Sequence, residues 1–256
     1  MRVVVTRPQA QADALVAELQ RLGIDAVALP LIEIAAVADA TALRQAWDTL
    51  SRQALVMFVS ANAVAHFFAQ RPSPACWPPQ TLAGSTGPGT SAALRQAGVP
   101  PPLLVEPAAD VFDSEALWER LRDRPWSGRQ VLVVRGEGGR DWLAERLGAA
   151  GATVRFVAAY ERRPPRLDAA GQERLREALA EPLAHLWAVS SSEALGHLER
   201  LAPGADWSRS AAVAPHPRIV AALRRLGFGH VRLAAAGAEA LAKALREGRP
   251  IQSAGT

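Results

Sequence analysis

The stretch 131–163, VLVVRGEGGRDWLAERLGAAGATVRFVAAYERR, indicates the fold of the whole chain. Its first residues are apolar and β-branched, as in a buried strand, and Leu143 and Leu147 are spaced as on one face of a helix. Gly151 is typical of a helix end, and a second apolar run follows it up to Tyr160, the only tyrosine. Such a strand, helix and strand predict two parallel strands joined by a right-handed crossover.

The same pattern occurs a second time, 128 residues earlier. Residues 131–135 then coincide with 3–7, the helix leucines and the helix-ending glycine coincide as well, and Tyr160 falls on Ile32. Two further segments recur in the same order at nearly the same offset, 58–67 in 189–198 and 92–98 in 221–227. The three recurring pieces indicate a duplicated open α/β unit rather than a solenoid, whose repeats are much shorter.

Length and composition are those of an ordinary globular protein with two domains. The chain has 256 residues, of which 49% are hydrophobic and 21% charged, whereas single domains cluster around ~100 to 150 residues. No segment approaches the ~18 consecutive apolar residues of a membrane helix, and the N-terminus lacks the apolar core of a signal peptide. We therefore expect a cytoplasmic protein that is not associated with a membrane.

Cysteine and charge content exclude several classes of site. Cys76 is the only cysteine, which excludes an intrachain disulfide and a thiolate metal cluster. A net charge of only +4, without aromatic residues interleaved in a basic stripe, does not indicate a nucleic-acid partner. Lys243 is the only lysine, and a cation set made of arginine suits a polycarboxylate or phosphate ligand, which the guanidinium binds in a bidentate manner.

Ligands of a parallel α/β sheet bind beyond the carboxyl ends of the strands, where helix N-termini present free N–H groups. The turns expected there carry small, hydroxyl-bearing or arginine residues, at 6–7, 60–62, 86–90, 135–140, 190–192 and 216–218. Serine and asparagine in these turns either hold an anion or only cap the following helix. A nucleotide loop is not indicated, because 136–140 lacks the Gly-Lys-Ser/Thr ending and 84–89 does not fit Gly-x-Gly-x-x-Gly.

Single catalytic side chains are not identified by these patterns alone. His66 and His197 occupy matching helix positions, which favours packing or surface roles. The chain contains no Gly-x-Ser-x-Gly elbow and no His-Glu-x-x-His motif, so neither a serine nor a zinc hydrolase is indicated and we expect no metal. Tyr160, at the end of a predicted strand, is by default a buried ring with a solvated hydroxyl.

Seven short motifs follow one another over nearly the whole chain. They are Thr6-Arg7-Pro8, Pro30-Leu31-Ile32-Glu33, Phe58-Val59-Ser60-Ala61-Asn62-Ala63-Val64, Gly87-Pro88-Gly89-Thr90, Val133-Val134-Arg135-Gly136 with Gly139-Arg140, Tyr160-Glu161-Arg162, and Pro215-His216-Pro217-Arg218-Ile219. In this order they resemble the motifs of the uroporphyrinogen-III synthase family. Two turns depart from the family pattern. Ser85-Thr86 stands where many relatives have an apolar pair, and His216-Pro217-Arg218 replaces a Gly/Thr turn.

The resemblance implies two similar parallel-sheet α/β domains, flavodoxin-like or Rossmann-like, joined by a two-stranded linker with the active site in the cleft between them. The first domain would be discontinuous and comprise residues 1–35 and 165–256, and 38–160 would be the inserted second domain. The candidate linkers 32–37 and 158–164 are partners in the repeat. The residues alone would have suggested a division in the middle of the chain.

It also implies an enzyme without a cofactor that closes the linear tetrapyrrole hydroxymethylbilane to uroporphyrinogen III, with loss of water and inversion of ring D. Tyr160 matches the family tyrosine that is the candidate for assisting departure of the hydroxyl. The eight carboxylates of the substrate would be held by residues of the strand-end turns: Thr6, Arg7, Ser60, Asn62, Gly87, Thr90, Arg135, Gly136, Gly139, Ser191, Ser192, His216 and Arg218. The implied enzyme is a monomer that meets hydroxymethylbilane synthase transiently.

Two other functions stay open at this point. A non-catalytic two-domain sensor would bind a small polyanionic ligand without converting it, since a fold does not determine a function. A nucleotide-sugar or phosphate-ester enzyme would use 136–140 as its anion site. Supplying fresh hydroxymethylbilane and separating the product isomers distinguishes the three functions, because spontaneous closure gives the type I isomer.

Overall fold

Two α/β units make up the chain in a computed structural model that describes residues 1–107, 113–138, 141–235 and 237–247. One unit is built from both ends of the chain, Met1–Glu33 and the described residues from Arg163 onward, and we name it the split unit. The other, Ile34–Arg162, is named the continuous unit. Each unit has its own sheet, covered by its own hydrophobic clusters.

Short strands and helices alternate through both units. In chain order they are β1 (Arg2–Val5), α1 (Gln9–Arg21), β2 (Ala26–Ala28), β3 (Glu33–Ala36), α2 (Thr41–Asp48), β4 (Gln53–Phe58), α3 (Ala61–Phe68), β5 (Leu82–Ser85), α4 (Pro88–Gln96), β6 (Leu104–Val105), α5 (Ser114–Leu121), β7 (Gln130–Gly136), α6 (Trp142–Ala149), β8 (Thr153–Arg163), α7 (Ala169–Ala180), β9 (His185–Ala188), α8 (Ser192–Leu201), β10 (Ala211–Ala214), α9 (Pro217–Leu226), β11 (His230–Leu233) and α10 (Ala238–Glu247). Turns of 3-10 helix at Leu50–Arg52, Pro101–Leu103 and Pro182–Ala184 precede β4, β6 and β9.

The sheet of the split unit has the order β2-β1-β9-β10-β11, and every neighbouring pair is parallel. Val3, Val4 and Val5 of β1 are fully buried, as expected for a parallel strand covered by helices on both faces. Leu15 and Leu19, one turn apart on α1, belong to the core that covers β1. Because the strands are parallel, the carboxyl ends of β1, β9 and β10 lie side by side at one edge of this sheet.

The sheet of the continuous unit has the order β3-β8-β7-β4-β5-β6, and the pairs from β8 to β6 are parallel. Successive residues of β4 contribute to two different cores, as the alternation of a strand requires. Val56 and Phe58 join the core that contains Trp47, whereas Leu55 and Met57 join the core under α5 and α6. The carboxyl ends of β7, β4 and β5 are therefore neighbours at one edge of this second sheet.

Both sheets have the same strand order when strands are matched by the sequence repeat. The repeat pairs β1 with β7, β2 with β8, β4 with β9 and β5 with β10. The order β2-β1-β9-β10-β11 then corresponds strand by strand to β8-β7-β4-β5-β6, which is the flavodoxin-like 2-1-3-4-5 order. The shared strand order supports a duplication. The chain forms the equivalent strands at different stages, because β1 and β2 come first in the split unit whereas β7 and β8 come last in the continuous unit.

Several element boundaries differ from those expected from the sequence. Periodicity predicts a helix over 91–96, a strand over 24–29 and a strand over 81–83, but α4 begins at Pro88, β2 is shorter at each end and β5 reaches Ser85. The extended Gly87 is the N-cap of α4, and the fixed φ of Pro88 suits the first helical position. Consequently Thr90 lies in the first turn of the helix instead of in the turn before it.

Candidate functional site

The Tyr160 side chain is a buried polar group of β8, beside the carboxyl end of β7. Only 1% of this residue is exposed, and its hydroxyl lies 3.2 Å from the Ser60 hydroxyl. A register shift in the pairing of β7 and β8 places Gly136 opposite Tyr160. A Cβ at Gly136 would lie 2.7 Å from the phenol ring, so the absence of a side chain there leaves the space that the ring occupies.

Ser60 connects the tyrosine to the start of α3. Its hydroxyl oxygen accepts a hydrogen bond from the backbone N–H of Ala63 at 3.1 Å, which is the N-cap interaction. A serine hydroxyl still has one proton and a second lone pair, so it can donate to or accept from the phenol. When Ser60 donates, the phenol proton of Tyr160 is free for another acceptor. Asn62 lies in the first turn of α3 and is half-buried.

Arg135, near the end of β7, is held over the strand that carries the tyrosine. Its guanidinium carbon lies 4.1 Å from the centre of the Phe156 ring, a cation–π contact, and its Nη1 donates to the Asp141 carboxylate. A cavity of about 370 Å³ opens here, lined by Arg135, Phe156 and Tyr160 together with Val59, Thr86, Ser114, Gly136, Gly138 and Arg162. The cavity therefore combines apolar walls with guanidinium groups.

Gly87 and Thr90 lie at the neighbouring end of β5. Gly87 is the N-cap of α4 and Thr90 is buried in its first turn. Below them the buried hydroxyls of Ser85 and Ser91 are 2.5 Å apart. Gly139, which the sequence also predicts as a binding residue, lies outside the residues that the structure describes.

Thr6 and Arg7 follow β1 in the split unit. The Thr6 side chain is hydrogen-bonded inside the unit, whereas the Arg7 side chain lines a cavity. The Thr6 residue is 1% exposed and its hydroxyl donates to the carbonyl of Ala188 at 3.0 Å, so it joins β1 to β9. Burial lowers the pKa of the Arg7 guanidinium, and the nearby Glu18 carboxylate opposes this shift. Arg7 lines a cavity with Ser190 and forms neither a hydrogen bond nor an ion pair with any residue that the structure describes. Its charge is therefore available to an anion.

The ends of β9 and β10 both lead into helix N-caps. The Ser191 hydroxyl accepts from the N–H of Glu193 at 3.2 Å, and the His216 Nδ1 accepts from the N–H of Arg218 at 3.1 Å. The Arg218 side chain is exposed. The Ser192 hydroxyl oxygen is buried and has no hydrogen-bond partner among the described residues. The Ser191 and His216 side chains thus have a local capping role, whatever else they bind.

The predicted site residues form one group in each unit. In the continuous unit the described ones end or follow β4, β5 and β7, with Ser60 and Gly136 next to Tyr160, and in the split unit they follow β1, β9 and β10. Sequence reasoning missed Phe156 and Asp141. It gave His66 a packing or surface role, and the His66 ring packs against Tyr160. Phe156 precedes Tyr160 by four residues on β8, but the register shift between them interrupts the two-residue alternation, so strand periodicity gave no signal for this residue.

The described parts of the chain contain no cluster of three or more His, Cys, Asp or Glu side chains that could hold a metal ion. None of their helices has the length and apolar character needed to cross a membrane.

Comparisons with known proteins point to one family. The family model for uroporphyrinogen-III synthase HemD matches residues 13–243. A uroporphyrinogen-III synthase of Salmonella typhimurium is 33% identical over 177 residues, which cover 69% of this chain and 70% of that protein. The uroporphyrinogen-III synthase of Escherichia coli is 29% identical over 254 residues, which cover 96% of this chain and 100% of that protein.

Solved structures of the same family share the fold. The uroporphyrinogen-III synthetase of Helicobacter pylori superimposes with a TM-score of 0.59 at 14% identity, covering 97% of this chain and 100% of that chain. A mutant uroporphyrinogen III synthase of Thermus thermophilus superimposes with a TM-score of 0.56 at 18% identity, covering 96% of this chain and 98% of that chain. These structures support the fold, and the family model and the sequence relatives show that the chain belongs to the uroporphyrinogen-III synthase family and is a hydro-lyase with uroporphyrinogen-III synthase activity in tetrapyrrole biosynthesis.

Proposed function

We propose that the chain closes hydroxymethylbilane to uroporphyrinogen III, with loss of water and inversion of ring D, and that Tyr160 assists departure of the hydroxyl group. One observation carries the role of the tyrosine. Its ring is buried, yet its hydroxyl meets the Ser60 hydroxyl at 3.2 Å and its side chain lines the cavity that also holds Arg135. A phenol in this position is oriented and adjoins a space that a substrate can enter.

The proposed proton transfer begins with the hydrogen bonds of Ser60. Because Ser60 accepts from Ala63, it can donate its own proton to the phenol oxygen, which leaves the Tyr160 proton free for the leaving hydroxyl. The carbon–oxygen bond of the hydroxymethyl group then breaks and water departs. The methylene carbon then bonds to the substituted α-carbon of ring D, which gives a spiro intermediate. The original bond between that α-carbon and its methylene bridge breaks, and the bridge bonds to the free α-carbon of ring D, which loses its proton and restores the phenol. Water is the only other product, so the step is balanced.

Binding of the substrate carboxylates is assigned to arginines and helix N-termini in both units. Arg7 is half-buried and without a partner among the described residues, which suits a bidentate contact with a carboxylate. The N-termini of α3, α4, α8 and α9 present backbone N–H groups at the strand ends. The remaining proposed binding residues are Thr6, Ser60, Asn62, Gly87, Thr90, Arg135, Gly136, Gly139, Ser191, Ser192, His216 and Arg218. Holding the reactive ends of the tetrapyrrole together lowers the barrier by orientation.

We extend the proposal to the organisation of the enzyme. The split and continuous units would be the discontinuous domain of 1–35 and 165–256 and the inserted domain of 38–160. The enzyme would act as a cytoplasmic monomer that meets hydroxymethylbilane synthase transiently. Sedimentation of the protein alone tests the monomeric state, which a stable dimer would contradict. Sedimentation with that synthase tests the transient contact, which a lasting complex would contradict.

The Tyr160→Phe variant tests the catalytic role. It keeps the ring and removes the hydroxyl, and we expect kcat for type III product to fall roughly 10²-fold, as for loss of a general acid. Freshly prepared hydroxymethylbilane is supplied and the isomers are separated by chromatography. Full type III output from Tyr160→Phe would show that the hydroxyl is not the proton donor. Type I product alone from the unaltered protein would contradict the proposed reaction itself.

A further inference from the structure

Helix α3 contacts Tyr160 at two places. Its N-cap residue Ser60 meets the hydroxyl, and His66, six residues further along, meets the ring. The two ring centres are 5.9 Å apart and the ring planes are inclined by 30°. A separation in this range is typical of aromatic side chains in contact. One helix therefore touches both the polar end and the ring of the proposed catalytic residue.

The repeat provides an independent comparison. His197 is the counterpart of His66 and lies six residues after the N-cap Ser191 of α8. Its Nδ1 is 2.6 Å from the carbonyl oxygen of Leu31, and because a carbonyl only accepts, this nitrogen donates. Leu31 directly precedes Ile32, the counterpart of Tyr160. In both units the same helix position thus contacts the same exit segment, through a backbone group in one unit and through a phenol ring in the other.

In the continuous unit, the protonation state of the His66 imidazole decides how it contacts Tyr160. Burial lowers the pKa of His66 from its ordinary value of 6.5, so the ring is neutral at pH 7. Its nitrogens have no hydrogen-bond partner among the residues that the structure describes. The contact with Tyr160 is therefore one of ring against ring, in which an aromatic side chain of similar size can replace histidine.

We propose that His66 is a positioning residue of the synthase reaction, whose ring fixes the orientation of the Tyr160 phenol. The inference rests on the role of Tyr160 proposed above. Removing the ring should let the phenol turn away from the leaving hydroxyl, which lowers kcat and lets more substrate close without inversion of ring D. Substrate affinity should stay the same, because His66 contacts Tyr160 and is not among the proposed binding residues.

Three variants of the full chain test this role. We expect His66→Ala to lower kcat roughly 10-fold, with an unchanged KM and a larger fraction of type I product, and we expect His66→Phe to restore both values. His230→Ala, at an exposed position of β11, is the matched control and should behave as the unaltered protein. Unaltered kcat and isomer ratio in His66→Ala would overturn the proposal. So would His66→Phe being as impaired as His66→Ala, since the nitrogens and not the ring would then be required.

The single tyrosine offers a measurement that does not depend on activity. Ring ¹³C-labelled tyrosine places its label at Tyr160 alone, so NMR reports one phenol. We expect the signal to shift and broaden in His66→Ala, to change less in His66→Phe and to stay in place in His230→Ala. An unchanged signal in His66→Ala would overturn the positioning role even if activity falls. If Tyr160→Phe retains full output, the proton-donor role fails, but a broadened signal in His66→Ala would still show that His66 restrains the ring.

Discussion

The split and continuous units share one strand order but place different groups at the same position of it. In the split unit, Ile32 is a buried apolar residue, and His197 bonds to the adjacent backbone carbonyl. In the continuous unit, Tyr160 occupies the equivalent position and brings a hydroxyl to Ser60. The comparison teaches that both copies keep the packing positions of the scaffold, whereas the proposed catalytic group belongs to one copy alone.

The two units also differ at the position of Gly136, which contacts the Tyr160 ring. Its counterpart in the split unit is Pro8, whose ring is tolerated at the N-cap of α1. In the continuous unit a Cβ would meet the Tyr160 ring at 2.7 Å, which is closer than such contacts occur. We expect Gly136→Ala to lower the free energy of unfolding by about 1 to 3 kcal/mol, as in other overpacked cores. Urea denaturation measures this change.

A matched glycine controls for the general effect of adding a methyl group. Gly148 lies inside α6 and a Cβ there meets nothing within 4 Å, so Gly148→Ala should stabilise by roughly 0.4 to 1 kcal/mol. If both variants were equally stable, the close approach of Gly136 and Tyr160 would not be a constraint. Combining Gly136→Ala with Tyr160→Ile, which copies the split unit, should recover part of the loss because the clash is removed.

The sequence predicted the alternating α/β pattern and the duplication because apolar periodicity and recurring residues reflect local chain geometry. The family resemblance supplied the reaction and the pairing of distant segments. The resemblance did not indicate that the Thr6 hydroxyl donates a hydrogen bond to the Ala188 carbonyl, or that Asp141 pairs with Arg135. Such contacts depend on register and side-chain direction across separate elements, which periodicity does not encode. The start of α4 was missed because the capping geometry of Gly87 and Pro88 outweighed the apolar pattern.

Ser60 is expected to give a smaller effect on stability than Gly136, together with an effect on activity. Ser60→Ala removes the N-cap bond to Ala63 and the contact with Tyr160. We expect a loss of ~1 kcal/mol in the free energy of unfolding, the usual value for a cap, and a lower type III fraction in the isomer assay. The phenol would lose the group that fixes its hydroxyl.

The control for this variant is a cap outside the proposed site. Asp168 caps α7 by accepting from the N–H of Gly171 at 2.7 Å. Asp168→Ala should cost a similar free energy of unfolding without a change in the isomer ratio. A fall in type III product in both variants would mean that the loss follows from weaker folding, and the hydroxyl contact of Ser60 would have no separate role.

The smallest expected effect is the pH dependence that His66 adds to stability. Burial lowers its folded pKa below 6.5, so the unfolded chain binds the proton more readily. Stability from this residue is therefore complete above the unfolded pKa and declines as the pH falls below it. His66→Phe has no such proton, so the difference in unfolding free energy, unaltered protein minus variant, should decrease from about pH 8 to about pH 5.5. If the unfolding free energies of the two proteins varied with pH in parallel, folding would not disfavour the charged imidazole. The conclusion that His66 contacts Tyr160 as a neutral ring would then be wrong.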